Sequence, residues 1–268
     1  MNRDDLHNIL EIKNLNKDFD GVKAADNLSF EIKSGIITGL IGPNGSGKTT
    51  VFNILTGMLR PDSGKILLKG KNITRTPAYR IAGMGMARTF QNIRLFPQVS
   101  VLENILLGTP CERVESLWNA LLQSRTMKSM ERENTEKAMN LLEKVGLANK
   151  RNEMAMNLSH GQRRLLELAR ALATDADLYL LDEPTAGVFP ETRIKIMEII
   201  KELDQQNKAV LFIEHDMRVV MGISEKIIVL NHGQKIAEGT PQEVANDAKV
   251  IEAYLGRRRS LRVGELGS

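Results

Sequence analysis

The feature that most constrains this chain is a glycine-rich segment, residues 42–49, which matches the pattern G-x-x-x-x-G-K-[ST]. The apolar, β-branched residues 36–41 before it predict a buried parallel strand, and residues 49–59 after it predict a helix that ends before Pro61. A strand, loop and helix in this order direct backbone N–H groups and a helix N-terminus at a phosphate group. The sequence therefore predicts an α/β fold with a phosphate-binding loop.

Each residue type in this loop has a task in binding a nucleoside triphosphate. Glycines let the backbone approach the phosphates, Lys48 adds a positive charge, and Thr49 offers a hydroxyl to Mg²⁺. The dinucleotide fingerprint G-x-G-x-x-G has a different spacing and no use for the Lys-Thr pair. The predicted nucleotide-binding residues here are Gly42, Pro43, Asn44, Gly45, Ser46, Gly47, Lys48, Thr49 and Thr50.

Two carboxylates follow a second apolar run, residues 178–181. Asp182, at the end of a strand, is placed to hold Mg²⁺. Glu183 comes next and can orient or deprotonate an attacking water molecule. The alternative is a polar turn without chemistry, but the phosphate-binding loop favours a nucleotide-hydrolysing site. The sequence therefore predicts hydrolysis in addition to binding.

The pattern along the chain predicts one domain, residues 1–256, with an insertion. Strand and helix patterns alternate, but residues 92–172 are rich in Leu, Met, Glu and Lys and predict a helical subdomain. Ala138, Leu141, Leu142 and Val145 have helical spacing, and Gly146 follows as a terminator. Residues 257–268 are predicted to form a basic C-terminal tail that is solvated rather than a binding patch.

Composition excludes several classes of protein. The 268 residues are 42% hydrophobic, enough for a sizeable core, and Cys111 is the single cysteine, so no internal disulfide is possible. No run approaches the ~20 apolar residues of a membrane span, and the first residues lack the apolar stretch of a signal peptide. Basic and acidic residues are interspersed, which argues against a nucleic-acid partner. We expect a cytosolic protein.

A second anion site is predicted where Leu158-Ser159-His160-Gly161-Gln162 precedes a helical run. This segment resembles the LSGGQ signature of ABC-type ATPases, with His160 in place of a glycine. Three other residues resemble further marks of that family, in the same chain order. Gln91 resembles the Q-loop glutamine and His215 the switch histidine. Phe19 resembles the aromatic residue that stacks on adenine, and the alternative for Phe19 is a position in the core.

The resemblance implies a P-loop NTPase of ABC type, with a RecA-like, mainly parallel β core, an N-terminal antiparallel β subdomain and an inserted α-helical subdomain. It implies ATP and Mg²⁺ as cofactors and a head-to-tail dimer that clasps each ATP between one chain's phosphate-binding loop and the other's signature. The implied catalytic residues are Glu183, His215, Lys48 and Gln91, the metal-binding residues are Thr49, Gln91 and Asp182, and Ser159, Gly161 and Gln162 join the nucleotide-binding residues.

Residues 87–96, 101–105, 213–223 and 237–241 resemble those of LivG-type subunits of branched-chain amino acid importers. This implies an ATPase at the cytoplasmic face of the membrane that powers amino acid import. Its partners would be a second ABC ATPase subunit, identical or related, integral membrane permeases and, indirectly, a solute-binding protein, with no nucleic acid. Urea-type importers, lipopolysaccharide-export ATPases and non-transport ATP-switch proteins remain alternatives.

Three residues after Gln91 are candidates for contact with a permease, namely Phe96, Pro97 and Val101, with a position in the core as the alternative for each. Two residues depart from the family pattern. His160 could crowd the γ-phosphate, although Ser159 and Gly161 are retained. Phe189 stands where Asp or Asn is common, which puts coupling between the two subunits through that side chain in doubt.

Overall fold

The structure is a computed structural model that describes residues 7–109 and 124–255. The predicted basic tail at 257–268 lies outside the described residues. No helix within the described ranges is long and apolar enough to cross a membrane. The chain divides into two compact units, each made of separate segments. The first unit comprises Met1–Arg88, Asp177–Pro184 and Met197–Ser268, and the second comprises Thr89–Ala176 and Thr185–Ile196.

An antiparallel sheet forms one layer of the first unit, with strand order β2-β1-β4-β5. Its strands alternate apolar and polar side chains, so that one face packs on the core while the other meets water. Strands β1 and β2 each run for 12 residues. The strands are β1 (Asn8–Phe19), β2 (Val22–Lys33), β4 (Ser63–Leu68) and β5 (Lys71–Asn72).

The second sheet of this unit carries the loops of interest and has the order β10-β9-β3-β8-β7-β6. Neighbours from β9 to β6 are parallel, and β10 pairs with β9 antiparallel. Strands β3, β7 and β8 are buried throughout, which explains their unbroken apolar sequences. The strands are β3 (Ile37–Ile41), β6 (Met86–Arg88), β7 (Leu178–Asp182), β8 (Ala209–Ile213), β9 (Lys226–Asn231) and β10 (Gln234–Gly239).

Helix α1 (Lys48–Leu55) follows β3 and buries Phe52 and Leu55 in the core of the first unit. The predicted end of this helix, at residue 59, is wrong. Gly57 has a φ of 70°, and a Cβ added to it would lie 2.7 Å from the Thr76 carbonyl oxygen. The chain therefore turns out of the helix at the glycine, before the proline is reached.

Five more helices lie wholly or partly in the described part of the first unit. The longest of them begins in the second unit and ends in the first. They are α2 (Ala78–Gly83), α6 (Pro190–Gln205), which starts in the second unit, α7 (Met217–Ile223), α8 (Pro241–Ala245) and α9 (Ala248–Leu255).

The second unit contains helices α3 (Val101–Leu106), α4 (Ser124–Val145) and α5 (His160–Leu172), with short 3-10 turns before α5. Of the four residues with helical spacing, Ala138, Leu142 and Val145 are buried and Leu141 is half-buried. Residues 89–99 form neither helix nor strand, so the second unit has no helix directly after Gln91. Val101 is fully buried, which makes it a core residue and not a contact surface.

Candidate functional site

The phosphate-binding loop begins where β3 ends, and its backbone conformation requires glycine at two positions. Gly42 and Gly47 have φ values of 152° and 102°. A Cβ on Gly42 would lie 2.1 Å from the Leu230 carbonyl oxygen, and one on Gly47 would lie 2.1 Å from that of Ala24. Because these neighbours are backbone atoms, they cannot yield, and the loop keeps its shape only with glycine.

Lys48 is the first residue of α1, and its side chain folds back into the loop. Its Nζ donates hydrogen bonds to the carbonyl oxygens of Gly42, at 2.8 Å, and Pro43, at 3.0 Å. Burial lowers the pKa of the Lys48 amine, and the nearby Glu183 and Asp182 oppose this shift. The loop therefore holds the Lys48 amine against its inner surface.

A cavity of about 460 Å³ lies beside this loop within the first unit. Its lining includes Asn44, Gly45, Ser46, His232 and Lys249.

Glu183 and His215 meet because their strands are neighbours. Strand β8 lies between β3 and β7, and Asp182 pairs in register with Ile213. Glu183 has a φ of 49°, rare for a residue with a side chain, and its N–H donates to the Ile213 carbonyl oxygen at 2.9 Å. His215 Nε2 lies 3.2 Å from Glu183 Oε1. The left-handed conformation costs about 1–2 kcal/mol, and such strain is concentrated at functional sites.

Asp182 is buried and forms an ion pair that the sequence did not predict. Its Oδ2 accepts a hydrogen bond from Arg88 Nη2 at 3.0 Å, and Arg88 Nη1 donates to Asn53 Oδ1 at 2.8 Å. Both charged side chains are at most 6% exposed. Arg88 lies three residues before Gln91, but its sequence position gave no sign that it would meet the strand carrying Asp182.

The oxygen donors in this unit suit Mg²⁺, which prefers hard oxygen ligands and takes one or two carboxylates while keeping several waters. Asp182 provides a carboxylate and Thr49, which is exposed, provides a hydroxyl. No cluster of three or more His, Cys, Asp or Glu side chains that could hold a metal is found among the described residues. The residues present therefore fit an ion that also binds phosphate oxygens, rather than an ion held by protein alone.

We expect Arg88→Met to destabilise the fold, because Asp182 would keep a buried carboxylate without its guanidinium. Breaking a buried ion pair by removing one partner costs about 3–5 kcal/mol. Urea denaturation of the variant and the parent measures this loss as a difference in the free energy of unfolding. The exposed pair of Lys137 and Glu133, 2.8 Å apart, provides the control. Lys137→Met should leave the free energy of unfolding unchanged, and an equal loss in both variants would contradict a special role for Arg88.

Phe19 ends β1 and is 45% exposed, so the alternative of a core aromatic is wrong. The Lys17 amine lies 5.3 Å from the centroid of the Phe19 ring.

In the second unit, the signature segment caps the N-terminus of α5. Ser159 Oγ accepts a hydrogen bond from the Gln162 N–H at 3.3 Å, and Gln162 Oε1 accepts one from the Ser159 N–H at 3.0 Å. The His160 ring lies against the turn after Pro184, with Nε2 3.4 Å from the Ala186 carbonyl oxygen. The side chain that replaces the usual glycine is therefore engaged within its own unit.

The predicted site residues are divided between the two units. Phe19, the phosphate-binding loop, Asp182, Glu183 and His215 belong to the first. Gln91, Ser159, Gly161 and Gln162 belong to the second, where the Gln91 side chain is exposed.

Comparison with known proteins explains this combination of motifs. A family model described as ABC transporter matches residues 25–186, more than half of the chain. The chain belongs to the ABC transporter family. A second model, described as branched-chain amino acid ATP-binding cassette transporter, matches residues 234–259 of this ABC protein. The predicted family is confirmed.

Individual relatives agree with the family. This ABC protein is 42% identical to the high-affinity branched-chain amino acid transport ATP-binding protein LivG of Salmonella typhimurium, over 92% of its own length and 98% of the relative. It resembles a crystal structure of a nucleotide-free ATP-binding cassette from an ABC transporter, with 36% identity, a TM-score of 0.80, and coverage of 94% of this chain and all of the other.

A third relative is known as a dimer, in a post-hydrolysis state bound to ADP and Pi. The chain described here is 26% identical to that relative, with a TM-score of 0.72. The match covers 87% of this chain and 98% of the relative. The predicted fold class is confirmed by these likenesses and by the two sheets described above.

Proposed function

We propose that this chain is the ATP-binding and ATP-hydrolysing subunit of an ABC importer that moves branched-chain, hydrophobic amino acids across the cytoplasmic membrane. The observation that carries the proposal is 42% identity along 98% of LivG, a branched-chain amino acid transport ATP-binding protein. The match of residues 234–259 to a branched-chain amino acid cassette model supports the same substrate class.

ATP binds, in this proposal, on the loop at residues 42–49. Backbone N–H groups and the Lys48 ammonium contact the β- and γ-phosphates, while Phe19, whose ring is partly exposed, stacks on adenine. Ser159, Gly161 and Gln162 of a second subunit close over the γ-phosphate. The dimeric relative bound to ADP and Pi supports a dimer of such cassettes as the closed state.

Hydrolysis proceeds by in-line attack of water on the γ-phosphate. Glu183 orients the water and accepts its proton, and His215, 3.2 Å from that carboxylate, steadies it and the phosphate. Lys48 stabilises the charge of the transition state. Thr49 and Asp182 would hold Mg²⁺, which would neutralise charge on the phosphate oxygens.

The permeases bind, in this proposal, to the second unit at a groove of about 410 Å³. The groove is lined by Gln91, Ile93, Leu95, Pro97, Met156 and Arg163, among others. Phe96 and Met156 are each more than half exposed. Permeases bound in this apolar groove would hold the ATPase at the cytoplasmic face of the membrane.

Affinity purification from detergent-solubilised membranes of the source cells tests this function. The parent chain should bring down two integral membrane proteins and a related ABC ATPase, all identified by mass spectrometry. Met156→Asp, in the groove, should lose the membrane proteins and keep its ATPase activity, whereas Leu107→Asp, exposed elsewhere in the same unit, should keep both. Recovery of nucleic acid in place of permeases would contradict a transport function.

A further inference from the structure

A buried ion pair on helix α5 has no part in the chemistry described above. Arg164 Nη1 lies 2.9 Å from Glu167 Oε2, and the two side chains are only 4% and 2% exposed. Charged residues are almost never buried to this degree without a specific set of partners. Both lie within eight residues of Ser159, which caps the same helix.

The partners of this pair are backbone groups of the segment that carries Gln91. Arg164 donates to the carbonyl oxygens of Phe90 and Gln91, each at 2.9 Å. Glu167 accepts from the N–H of Arg94 at 3.1 Å and from the N–H of Phe90. Residues 89–99 form no helix or strand, so no regular backbone hydrogen bonds satisfy these groups. One ion pair therefore binds four backbone groups of this segment.

Stability alone does not explain the choice of a charged pair. Apolar residues of similar volume are often equal or better in a core, because two buried charges lose their hydration. Burial raises the pKa of the Glu167 carboxyl, although Arg164 and the two backbone N–H groups act in the other direction. Arg164 Nε also lies buried without a hydrogen-bond partner among the described residues. What the pair provides is geometry, since a planar guanidinium reaches two carbonyls and a carboxylate at fixed angles.

We propose that Arg164 and Glu167 are positioning residues of the ATPase, which fix the backbone around Gln91 to the helix that begins with the signature segment. The Gln91 segment and the signature are then held in one geometry within the second unit. The proposal rests on the proposed roles of Gln91 and Ser159 in ATP hydrolysis. ATP binding to a single chain rests, in the proposed function, on the phosphate-binding loop of the first unit, so this affinity should depend little on the pair.

The test compares Arg164→Met/Glu167→Leu with the parent chain. This double variant leaves no unpaired buried charge and should keep the parental Tm. We expect kcat to fall at least tenfold, and we expect a similar fall for Gln91→Ala, with the Kd of a fluorescent ATP analogue changed less than twofold in the double variant. Adding Gln91→Ala to the double variant should lower kcat little further. Glu133→Leu/Lys137→Met removes an exposed ion pair from the same unit and should change nothing.

Hydrogen exchange gives a readout that does not depend on catalysis. The amides of Phe90 and Arg94 should exchange faster in the double variant than in the parent or in the exposed-pair control. If the double variant does not fold, the same measurements are made on Arg164→Lys, because lysine keeps the positive charge but lacks the planar guanidinium. A folded variant with parental kcat and parental exchange overturns the proposal. If the parent chain has no ATPase activity, the proposed function fails, and faster exchange of these two amides in the double variant would still support the positioning role.

Discussion

Glu183→Gln should leave ATP binding intact and slow hydrolysis by about 10²–10⁴-fold, the usual contribution of general acid–base catalysis. The amide has the same shape as the carboxylate but cannot accept a proton from water. Its contact with His215, which lies 3.2 Å from Glu183 Oε1, can persist through the amide oxygen. The fold should be unaffected because the backbone N–H, and not the side chain, bonds to Ile213.

Phosphate release at saturating ATP and titration with a fluorescent ATP analogue measure the two quantities separately. Glu198→Gln is a matched control, since Glu198 is exposed on α6 and should tolerate the change. A second readout is dimerisation, because a chain that binds ATP without hydrolysing it should accumulate as a dimer in light scattering. Hydrolysis at the parental rate by Glu183→Gln would show that another group activates the water.

The phosphate-binding loop and the carboxylates could be predicted because their signals are local. Strands β3 and β7 are short apolar runs, and the residues that follow each are fixed by the carboxyl end of a parallel strand. The neighbouring position of β8 then brings His215 to Glu183. Strand order cannot be derived from the alternation of strands and helices, so that meeting was expected only from the resemblance to a family.

The contacts that the sequence did not predict join residues that are distant in the sequence. Arg88 meets Asp182 across 94 positions, and Arg164 meets Phe90 across 74. Arg88 is the last residue of a short strand, and Arg164 lies on an amphipathic helix. Neither sequence pattern indicates that the arginine is buried. Their burial is decided by which elements pack on them, and the sequence pattern alone does not contain that information.

The early end of α1 has a different cause. A proline at position 61 and a glycine at position 57 both predict a helix end, and the glycine decides it because its φ is positive and the Thr76 carbonyl leaves no room for a side chain. Glu183 shows the opposite case, in which a residue with a side chain adopts a positive φ. Sequence rules assign that conformation to glycine or asparagine, so strain at a functional residue could be found only in the structure.

Lys48→Ala should weaken ATP binding without weakening the fold. A charge-assisted hydrogen bond contributes about 1.5–3 kcal/mol, so losing one phosphate contact corresponds to about 10–100-fold in Kd. Folding should not suffer, because burial lowers the pKa of this amine. A lowered pKa means that the folded chain disfavours the charged form, and removing the amine removes that cost.

Isothermal titration with ATP and thermal unfolding without nucleotide measure the two effects on the same sample. Lys33→Ala, at the exposed end of β2, is the matched control and should change neither quantity. The loop carbonyls of Gly42 and Pro43 lose a donor in Lys48→Ala, but water in the adjacent cavity can replace it. Unchanged ATP affinity would mean that the phosphates bind away from this loop, whereas a large fall in Tm would mean that Lys48 serves the fold rather than the nucleotide.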